Sequence, residues 1–268
     1  MPPPTPAATP PYDALAAGYD VVMAHVDYGD WADYVLDLFA LHEHEPQSIL
    51  ELGCGTGSLA FELQERRPGG FRYLATDRSE TMVRVARAKA DLHGTSLGDP
   101  GSGPGQALRF AVADFTGFDV DERFDAVLLL YDGLNYLLDD ADVAALFERV
   151  AAALAPGGLF IVDQSTPANS VNNEAYFEDE GEADRFTYTR HSQYDPATRL
   201  HTTTFDLEID GTAYAERHVQ RAYALGEIDA LAAASPLEVM AAYDGFTTAS
   251  ATDDSERIHW IMKRSKDE

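Results

Sequence analysis

The stretch Ser48–Gln64, SILELGCGTGSLAFELQ, places a short apolar run directly before a glycine-rich turn and a helical pattern. The run contains Glu51 near its end, and glycines follow at alternate positions, 53, 55 and 57. Glycine lets the backbone turn sharply and lets a ligand approach the main chain closely. The helix that follows offers unpaired N–H groups at its first turn. The stretch therefore predicts a strand, a ligand-binding turn and a helix.

The spacing of the glycines discriminates between two ligand classes, dinucleotides and S-adenosylmethionine. A dinucleotide fingerprint reads G-x-G-x-x-G, and counted from Gly53 its third glycine would fall at Ser58. The third glycine is Gly57 instead. Glu51 precedes the turn by two residues, and a pyrophosphate gains nothing from a nearby carboxylate, whereas the ammonium of an aminoacyl group does. The turn favours S-adenosylmethionine over the alternative, a nicotinamide cofactor.

Strand and helix patterns alternate downstream of this turn. Apolar runs predict five strands, SILEL (48–52), FRYLATD (71–77), LRFAVAD (108–114), FDAVLLL (124–130) and GLFIVDQ (158–164). Helical patterns cover Thr56–Arg66, Ser79–Asp91 and Asp139–Leu154, and HGTSLGDPGSGPGQA (93–107) predicts a flexible loop. Because parallel neighbours require crossover helices, the pattern predicts a doubly wound α/β sheet.

The pattern changes to period two over residues 184–223, where turns at YDPATR and EIDGTAY separate three predicted antiparallel strands. A helix over Gly226–Ala234 and strands over Leu237–Tyr243 and Arg257–Lys263 then return to the main sheet. Ligands of open α/β sheets bind at the carboxyl ends of the strands, so an insertion at that edge can roof the site. We expect helices over 12–47 to cover it from the other side.

Length and composition bound the class of protein. The 268 residues suit one large domain with an inserted subdomain, and no apolar run approaches the length of a membrane span. The proline-rich residues 1–11 predict a disordered lead without the features of a secretory signal. Cys54 is the sole cysteine, which fits a reducing compartment. We therefore expect a cytoplasmic protein.

The charge is strongly acidic, with 46 acids against 19 bases and a formal net charge of −27. Such a surface repels phosphate backbones, which makes nucleic acid a poor candidate partner. The acids are scattered, and only three bases are lysines, Lys89, Lys263 and Lys266. This composition is typical of a halophilic protein from a high-salt cytoplasm, and the alternative is simply an acidic soluble protein.

Several segments together resemble the successive motifs of class I S-adenosylmethionine-dependent methyltransferases: ILELGCGTGSLA, LATDRSETMVRVARAKA, RFAVADF, FDAVLLLYDGLNYL and LAPGGLFIVD. The resemblance runs from about Tyr12 to Lys263. It is closest to a bacterial, small-molecule-type group with a late β-sheet subdomain, which the segments YDALAAGYDVVMAHVDYGDW and ERHVQRAYALGEI also resemble.

The resemblance implies a Rossmann-like, doubly wound seven-stranded sheet, mostly parallel with one antiparallel strand, and a small antiparallel β subdomain inserted late in the chain. The expected domains are a disordered lead (1–11), N-terminal helices (12–47), a cofactor-binding domain (48–183 with 224–268) and the inserted subdomain (184–223). None of the matching motifs specifies a methyl acceptor.

The same resemblance implies roles for individual residues at the cofactor. The methionyl part would be surrounded by the glycine-rich turn, Glu51, Gly53, Cys54, Gly55 and Gly57. Asp77 would hold the ribose, with Arg78 and Met82 near the adenine. The adenine edge would be bound by Asp114 and Phe115. For Asp77 and Asp114, helix capping after a strand is the structural alternative. Tyr19 would close over the cofactor.

Methyl transfer from a sulfonium is an in-line displacement, so the protein mainly supplies orientation and, for an amine or hydroxyl, a general base. The resemblance implies that Tyr131 and Asp132 face the sulfonium and the acceptor. His218 is the leading candidate for the base, because the unperturbed pKa of a histidine side chain, near 6.5, suits this role. The alternative is a histidine that orders the subdomain by hydrogen bonding. Arg221 would bind an acidic acceptor or pair with Glu216 or Asp132.

Other polar residues have structural alternatives. Asn135 and Tyr136 would line the pocket or cap the next helix, and His42 and His44 are expected at a solvated surface, with no metal site predicted. The sequence favours a methyltransferase acting on a nitrogen or oxygen of a small molecule, as a monomer or homodimer. An RNA or protein methyltransferase and a non-catalytic S-adenosylmethionine-binding protein are the alternatives.

Overall fold

A computed structural model describes residues 6–67, 70–92 and 108–264. Its helices are α1 (Tyr19–Val22), α2 (Tyr28–Leu41), α3 (Ser58–Arg66), α4 (Glu80–Leu92), α5 (Asp140–Ala153), α6 (Pro167–Asn172) and α7 (Leu225–Ala233). Its strands are β1 (Ala7–Thr9), β2 (Ser48–Leu52), β3 (Arg72–Asp77), β4 (Leu108–Val112), β5 (Phe124–Leu129), β6 (Leu154–Ser165), β7 (Glu178–Ala183), β8 (Phe186–Asp195), β9 (Leu200–Ile209), β10 (Thr212–Arg221), β11 (Leu237–Asp244) and β12 (Arg257–Arg264). The loop predicted over 93–107 lies outside the described residues.

A seven-stranded sheet in the order β11-β12-β6-β5-β2-β3-β4 forms the centre of the fold. Strand β12 alone runs antiparallel to its neighbours, β6 and β11. Successive strands are added on one side of β2 up to β4, and on its other side from β5 onwards. Strands β2 and β5 pair in parallel. This arrangement confirms the predicted Rossmann-like fold and places the topological switch point at the carboxyl ends of these two strands.

Helices cover both faces of this sheet, which explains why its strands are apolar throughout. One face packs against α2, α3 and α4 through side chains such as Leu38, Leu59 and Val83. The other packs against α5 and α7, where Leu146 and Ile228 are fully buried. Burying one such side chain contributes about 1.5–3 kcal/mol, so these faces fix the strand ends that carry the site.

A second sheet has the strand order β1-β10-β9-β8-β7. The three strands predicted over 184–223 are present as β8, β9 and β10, and β7 and β1 add two strands from outside that range. Strand β7 escaped prediction because its sequence, EDEGEA, has no apolar alternation, and it pairs with β8 as a charged edge strand. Strand β1 lies in the lead that was predicted to be disordered, where Ala7–Thr9 pair in parallel with the open edge of β10. Residues 1–5 of that lead lie outside the described residues.

The segment between β1 and α2 connects the two sheets. Two side chains of this segment, Leu15 and Val22, are buried against the second sheet. There they pack in a cluster that includes Phe186 and Phe205. The helical pattern predicted over this region is realised only as a short 3-10 turn (Leu15–Ala17), α1 and α2. No helix in the described ranges is both long and apolar enough to cross a membrane.

Candidate active site

The glycine-rich turn between β2 and α3 requires glycine at each alternate position. Gly53, Gly55 and Gly57 have φ values of +70°, +54° and +81°, a region that L side chains rarely adopt. A Cβ atom on Gly53 would also lie 3.1 Å from the ring of Phe115. The turn is tied to the end of β3, because the Gly55 N–H donates to Asp77 Oδ2 at 2.9 Å.

A cavity of about 120 Å³, here called the cofactor cavity, lies at the carboxyl ends of β2–β5. Nine of the predicted cofactor-binding residues line it: Tyr19, Gly53, Gly55, Asp77, Arg78, Met82, Asp114, Phe115 and Tyr131. The wall therefore offers carboxylates at two strand ends together with aromatic faces, which suits a nucleoside with a polar tail.

Glu51, Cys54 and Gly57 do not line the cofactor cavity. The Glu51 side chain faces the neighbouring strand, where its Oε2 accepts a hydrogen bond from the Tyr73 hydroxyl at 2.9 Å. Burial raises the pKa of this carboxyl to about 7, against the lowering effect of the Tyr73 hydrogen bond. Gly57 lies beneath the Phe110 ring. The direct contact of Glu51 with a methionyl group is thus not supported by this arrangement.

The carboxylate of Asp77 accepts hydrogen bonds from backbone N–H groups and also faces the cofactor cavity. Its oxygens accept from the N–H groups of Gly55 and Ser79, at 2.9 and 2.8 Å, and the side chain also lines the cofactor cavity. Burial raises its pKa above the ordinary value, and these backbone hydrogen bonds oppose that shift. Asp114 similarly accepts from the Thr116 N–H at 2.9 Å. A carboxylate has about four acceptor positions, so both can also bind hydroxyl or amino groups.

A second cavity of about 270 Å³, here called the polar cavity, lies between the edge of the main sheet and the inner face of the second sheet. Polar side chains from both sheets line it, among them Asp132, Asn169, Ser170, Asn173, Arg190, Ser192, His201, Thr203, His218 and Gln220. The side chains of Tyr12, Tyr19, Tyr131 and Tyr136 line both cavities. This tyrosine wall is where the two cavities meet.

Tyr131 and Asp132 follow β5 in a strained conformation, with φ values of +65° and +61°. Such backbone costs of order 1–3 kcal/mol per residue and requires support from its surroundings. The support comes from Asp163, whose Oδ1 accepts from the Asp132 N–H at 3.1 Å, and from Arg257, whose Nη1 donates to Asp132 Oδ1 at 2.7 Å. Arg257 also pairs with Asp163.

This ion pairing changes the interpretation of Asp132, which was predicted to be catalytic. Its carboxylate lines the polar cavity but is neutralised by both terminal nitrogens of Arg257, at 2.7 and 3.2 Å. These contacts hold Asp132 and the adjoining Tyr131 in place. Burial raises the pKa of Asp163, and the charge of Arg257 opposes that shift.

His218 is buried, at 3% exposure, and both of its ring nitrogens have partners. Its Nε2 lies 3.1 Å from Glu216 Oε2, and its Nδ1 lies 2.9 Å from the Tyr136 hydroxyl. The Tyr136 hydroxyl lies 2.5 Å from that of Tyr12. A continuous chain of hydrogen bonds therefore connects Glu216 to the tyrosine wall.

Glu216 also holds the N-terminal segment in place. Its carboxylate accepts from the N–H groups of Tyr12, Ala14 and Leu15, at 2.7, 2.6 and 2.9 Å. Burial alone would raise the pKa of this carboxyl, but the hydrogen bonds from His218 and the three N–H groups outweigh burial and lower it. Glu216 is therefore ionised at neutral pH and accepts hydrogen bonds only. It follows that His218 carries its proton on Nε2.

Arg221 pairs with Asp140 and Glu227, each at 2.8 Å, and not with Glu216 or Asp132 as predicted. The reason is positional, because Arg221 ends β10 beside the starts of α5 and α7.

Asn135 lines the polar cavity, but its amide is used in binding the backbone of Ser165 and Arg221. His42 and His44 are half-buried rather than solvated, and bind the Tyr243 hydroxyl and the Asp125 carbonyl. Within the described ranges no group of three or more His, Cys, Asp or Glu side chains could hold a metal.

Sequence reasoning missed Tyr12, Glu216, Arg190, His201 and Arg257. One signal was available for Glu216, since it lies two residues from His218 and therefore on the same face of a strand. The other positions depend on contacts between segments distant in sequence, such as the 204 residues between Tyr12 and Glu216.

Comparison with known proteins agrees with this site. Residues 49–158 match a family described as a methyltransferase domain. The chain is 29% identical over 260 residues to the Bacillus subtilis protein named "Putative methyltransferase YqeM", with 95% of this chain and 98% of that protein aligned.

Two solved structures show the same fold. An S-adenosylmethionine-dependent methyltransferase from Clostridium acetobutylicum superposes with a TM-score of 0.75 at 23% identity, over 94% of this chain and 98% of that one. CalS10, an amino pentose methyltransferase from Micromonospora echinaspora with S-adenosylmethionine bound, superposes with a TM-score of 0.66 at 21% identity, over 94% and 97% of the two chains.

The match of residues 49–158 to a methyltransferase domain agrees with the resemblance of the sequence motifs to the class I S-adenosylmethionine-dependent methyltransferases. The chain is a methyltransferase enzyme, and S-adenosylmethionine is its cofactor, as the glycine-rich turn predicted.

Proposed function

We propose that this enzyme transfers the methyl group of S-adenosylmethionine to an amine or hydroxyl of a small polar acceptor bound in the polar cavity. The observation that carries the proposal is the tyrosine wall, because Tyr12, Tyr131 and Tyr136 line both cavities. A methyl group transferred from a cofactor in one cavity to an acceptor in the other must cross the boundary that these tyrosines form. When bound, the cofactor supplies a methyl group on a sulfonium, which is open to in-line displacement.

The hydrogen-bond chain behind this wall supplies a route for the proton that the acceptor loses. Because His218 is protonated on Nε2, its Nδ1 accepts from the Tyr136 hydroxyl. Tyr136 then accepts from the Tyr12 hydroxyl, whose oxygen keeps lone pairs for an acceptor N–H or O–H. Burial raises the pKa of both tyrosines, so they pass a proton on without remaining ionised.

In the transfer step the acceptor heteroatom would form its bond to the methyl group as the bond between that methyl group and sulfur breaks, which leaves a neutral thioether. The acceptor releases a proton to the Tyr12 oxygen. The Tyr12 proton moves to Tyr136, and the Tyr136 proton moves to His218 Nδ1. The resulting imidazolium lies against the ionised Glu216, which stabilises it as a charge-assisted pair. His218 is thus proposed as the base, acting through two tyrosines rather than by direct contact.

Three features support a small acceptor. The polar cavity lies between two sheets, and short hydrogen-bonding side chains such as Ser170, Ser192 and Thr203 line it. These suit a molecule with several hydroxyl or amino groups. The excess of 27 negative charges disfavours RNA. A related fold, CalS10, is named as acting on an amino pentose.

The proposal is tested by supplying S-adenosylmethionine labelled in its methyl group together with cell extract separated by size. We expect label to enter the low-mass fraction and to leave RNA and protein fractions unlabelled. Label in RNA or protein would contradict the small acceptor, and no label in any fraction would favour a non-catalytic binding protein.

Variants then test the proton route. Removing a general base costs about 10²–10⁴-fold in rate, so we expect losses of this order in kcat for His218→Gln. Tyr136→Phe should show a similar loss, with S-adenosylhomocysteine affinity preserved. His191→Gln is the matched control, since His191 lies on an exposed face of the same sheet. Equal activity of His218→Gln and His191→Gln would remove His218 from the mechanism.

A further inference from the structure

The inner face of the second sheet carries a cationic side chain, Arg190, that lies apart from the proposed proton route. Arg190 on β8 pairs with Phe205 on β9, and Phe205 pairs with Glu216 on β10. Two residues further along β8 and β10, on the same face, Ser192 pairs with Thr203 and Thr203 pairs with His218. At about 4.8 Å between strands and 3.4 Å per residue, the Cα atoms of Arg190 and His218 are about 12 Å apart. The two side chains therefore line opposite parts of the polar cavity.

The guanidinium of Arg190 is incompletely satisfied. Its Nη2 donates to the Tyr176 carbonyl at 3.3 Å, and its nearest carboxylate oxygen, Asp179 Oδ2, lies 3.7 Å away. That oxygen already accepts from the Tyr188 hydroxyl at 2.9 Å. Among the described residues, Arg190 Nε is one of two buried side-chain nitrogens or oxygens without a hydrogen-bond partner. Leaving a buried donor unpaired is unfavourable, and an acceptor on a ligand would relieve this cost.

Two other arginines, Arg221 and Arg257, differ from Arg190 in how closely carboxylates approach them. Arg221 lies 2.8 Å from carboxylate oxygens of both Asp140 and Glu227. Arg257 lies 2.7 Å from Asp132 and also pairs with Asp163. Each of these guanidinium groups has a carboxylate oxygen at hydrogen-bond distance, whereas the carboxylate oxygen nearest to Arg190, Asp179 Oδ2, lies 3.7 Å away.

The groups around Arg190 in the polar cavity are neutral hydrogen-bonding partners. His201 Nδ1 lies 3.2 Å from Ser170 Oγ, and the hydroxyls of Ser192 and Thr203 lie 2.8 Å apart. Burial lowers the pKa of His201; the charge of Asp132 opposes this shift, and the charge of Arg190 adds to it. His201 therefore stays neutral at physiological pH and leaves Arg190 as the cation at this end of the cavity.

We propose that Arg190 binds an anionic group of the methyl acceptor, a carboxylate or a phosphate. The inference rests on the proposed function, since it assumes an acceptor in the polar cavity. A guanidinium presents a planar fork of donors that matches the oxygens of either anion. The acceptor then carries its nucleophilic nitrogen or oxygen at the tyrosine wall and its anionic group at the part of the polar cavity that Arg190 lines.

The test uses the full chain saturated with S-adenosylhomocysteine and follows the arginine Nε–H resonances by NMR at constant ionic strength. Acetate, inorganic phosphate and the uncharged acetamide serve as separate probes. We expect the Arg190 signal, assigned by its loss in Arg190→Gln, to shift saturably with acetate or with phosphate and not with acetamide. A shift with only one anion assigns the acceptor as a carboxylate or as a phosphate.

The variants make the result specific. Arg190→Gln should weaken binding of the effective anion at least tenfold, and Arg217→Gln, on the other face of the same sheet, should not. No saturable shift with either anion, or equal shifts with acetamide, would overturn the inference. Failure here is distinguishable from failure of the proposed function: methyl label in the small-molecule fraction without anion binding removes only the Arg190 subsite. Anion binding without transfer of label to any fraction removes the function.

Discussion

Replacing Glu216 by glutamine tests both the docking of the N-terminal segment and the proton route. The carboxylate accepts from three backbone N–H groups, those of Tyr12, Ala14 and Leu15, and from His218 Nε2. A glutamine side chain keeps one accepting oxygen and turns the other position into a donor. If the oxygen stays with Ala14 and Leu15, then the new amide N–H groups face the Tyr12 N–H and His218.

The magnitude follows from these contacts. Losing one charge-assisted hydrogen bond costs about 1.5–3 kcal/mol, and leaving one buried N–H unsatisfied costs about 1–3 kcal/mol. The two effects overlap at the Tyr12 N–H, so we expect Glu216→Gln to destabilise the docked segment by about 2–4 kcal/mol. His218 would also have to accept at Nε2 and move its proton to Nδ1, which blocks proton acceptance from Tyr136.

Urea unfolding gives the global effect, and amide hydrogen exchange over residues 12–22 gives the local one. We expect faster exchange in this segment, weaker S-adenosylhomocysteine binding because Tyr12 and Tyr19 cover the cofactor cavity, and loss of methyl transfer. Glu208→Gln, at an exposed position of the same sheet, is the control. Unchanged exchange together with a stability change below about 0.5 kcal/mol, the range of ordinary surface substitutions, would refute the reasoning.

The pH dependence of this docking has a definite sign. Because the pKa of Glu216 is lowered in the folded state, its stabilising effect is present above the unfolded value near 4.5. The effect is lost as pH falls through the lower folded value. We expect the wild-type advantage over Glu216→Gln to disappear below that pH.

Three further predictions concern other parts of the site. The pKa of Glu51 is raised to about 7, so the folded state holds its proton more tightly and stability falls as pH rises from about 4.5 to 7, by about 3 kcal/mol at most. Glu51→Gln should flatten this slope in urea unfolding, and an unchanged slope would contradict the assignment. Asp77→Ala should abolish S-adenosylhomocysteine binding in calorimetry, and unchanged affinity would remove Asp77 from the cofactor site. Arg257→Met leaves Asp132 and Asp163 without their cation and should cost about 3–5 kcal/mol of stability. A loss below 1 kcal/mol would show that Asp163 is protonated and needs no partner.

The fold was predictable because its signals are local. Glycines at alternate positions after an apolar run fixed the turn between β2 and α3, and continuous apolar runs marked the buried parallel strands. Strand β7 could not be predicted because its acidic residues form an edge and need no apolar face. Strand β1 could not be predicted because its pairing depends on the open edge of β10, whose paired residues lie 207 positions further along the chain.

The cofactor cavity was predictable for the same reason, since its residues end successive strands. Nine of the twelve expected cofactor residues line it. Glu51 does not, because whether its side chain faces the ligand or Tyr73 depends on strand register. The proton route was only partly predictable: His218 was identified, but its partners Glu216, Tyr136 and Tyr12 come from three separate segments. Pairing choices such as Arg257 with Asp132 likewise depend on tertiary contacts.

The central claim is that the methyl donor and the acceptor meet at the tyrosine wall. The most direct measurement is a crystal structure of the full chain with S-adenosylhomocysteine bound. We predict the ribose on Asp77, the adenine beside Asp114 and Phe115, and the sulfur facing Tyr131 and Tyr136 at the edge of the polar cavity. A sulfur atom turned away from this wall, or a nucleoside bound outside the cofactor cavity, would contradict the account.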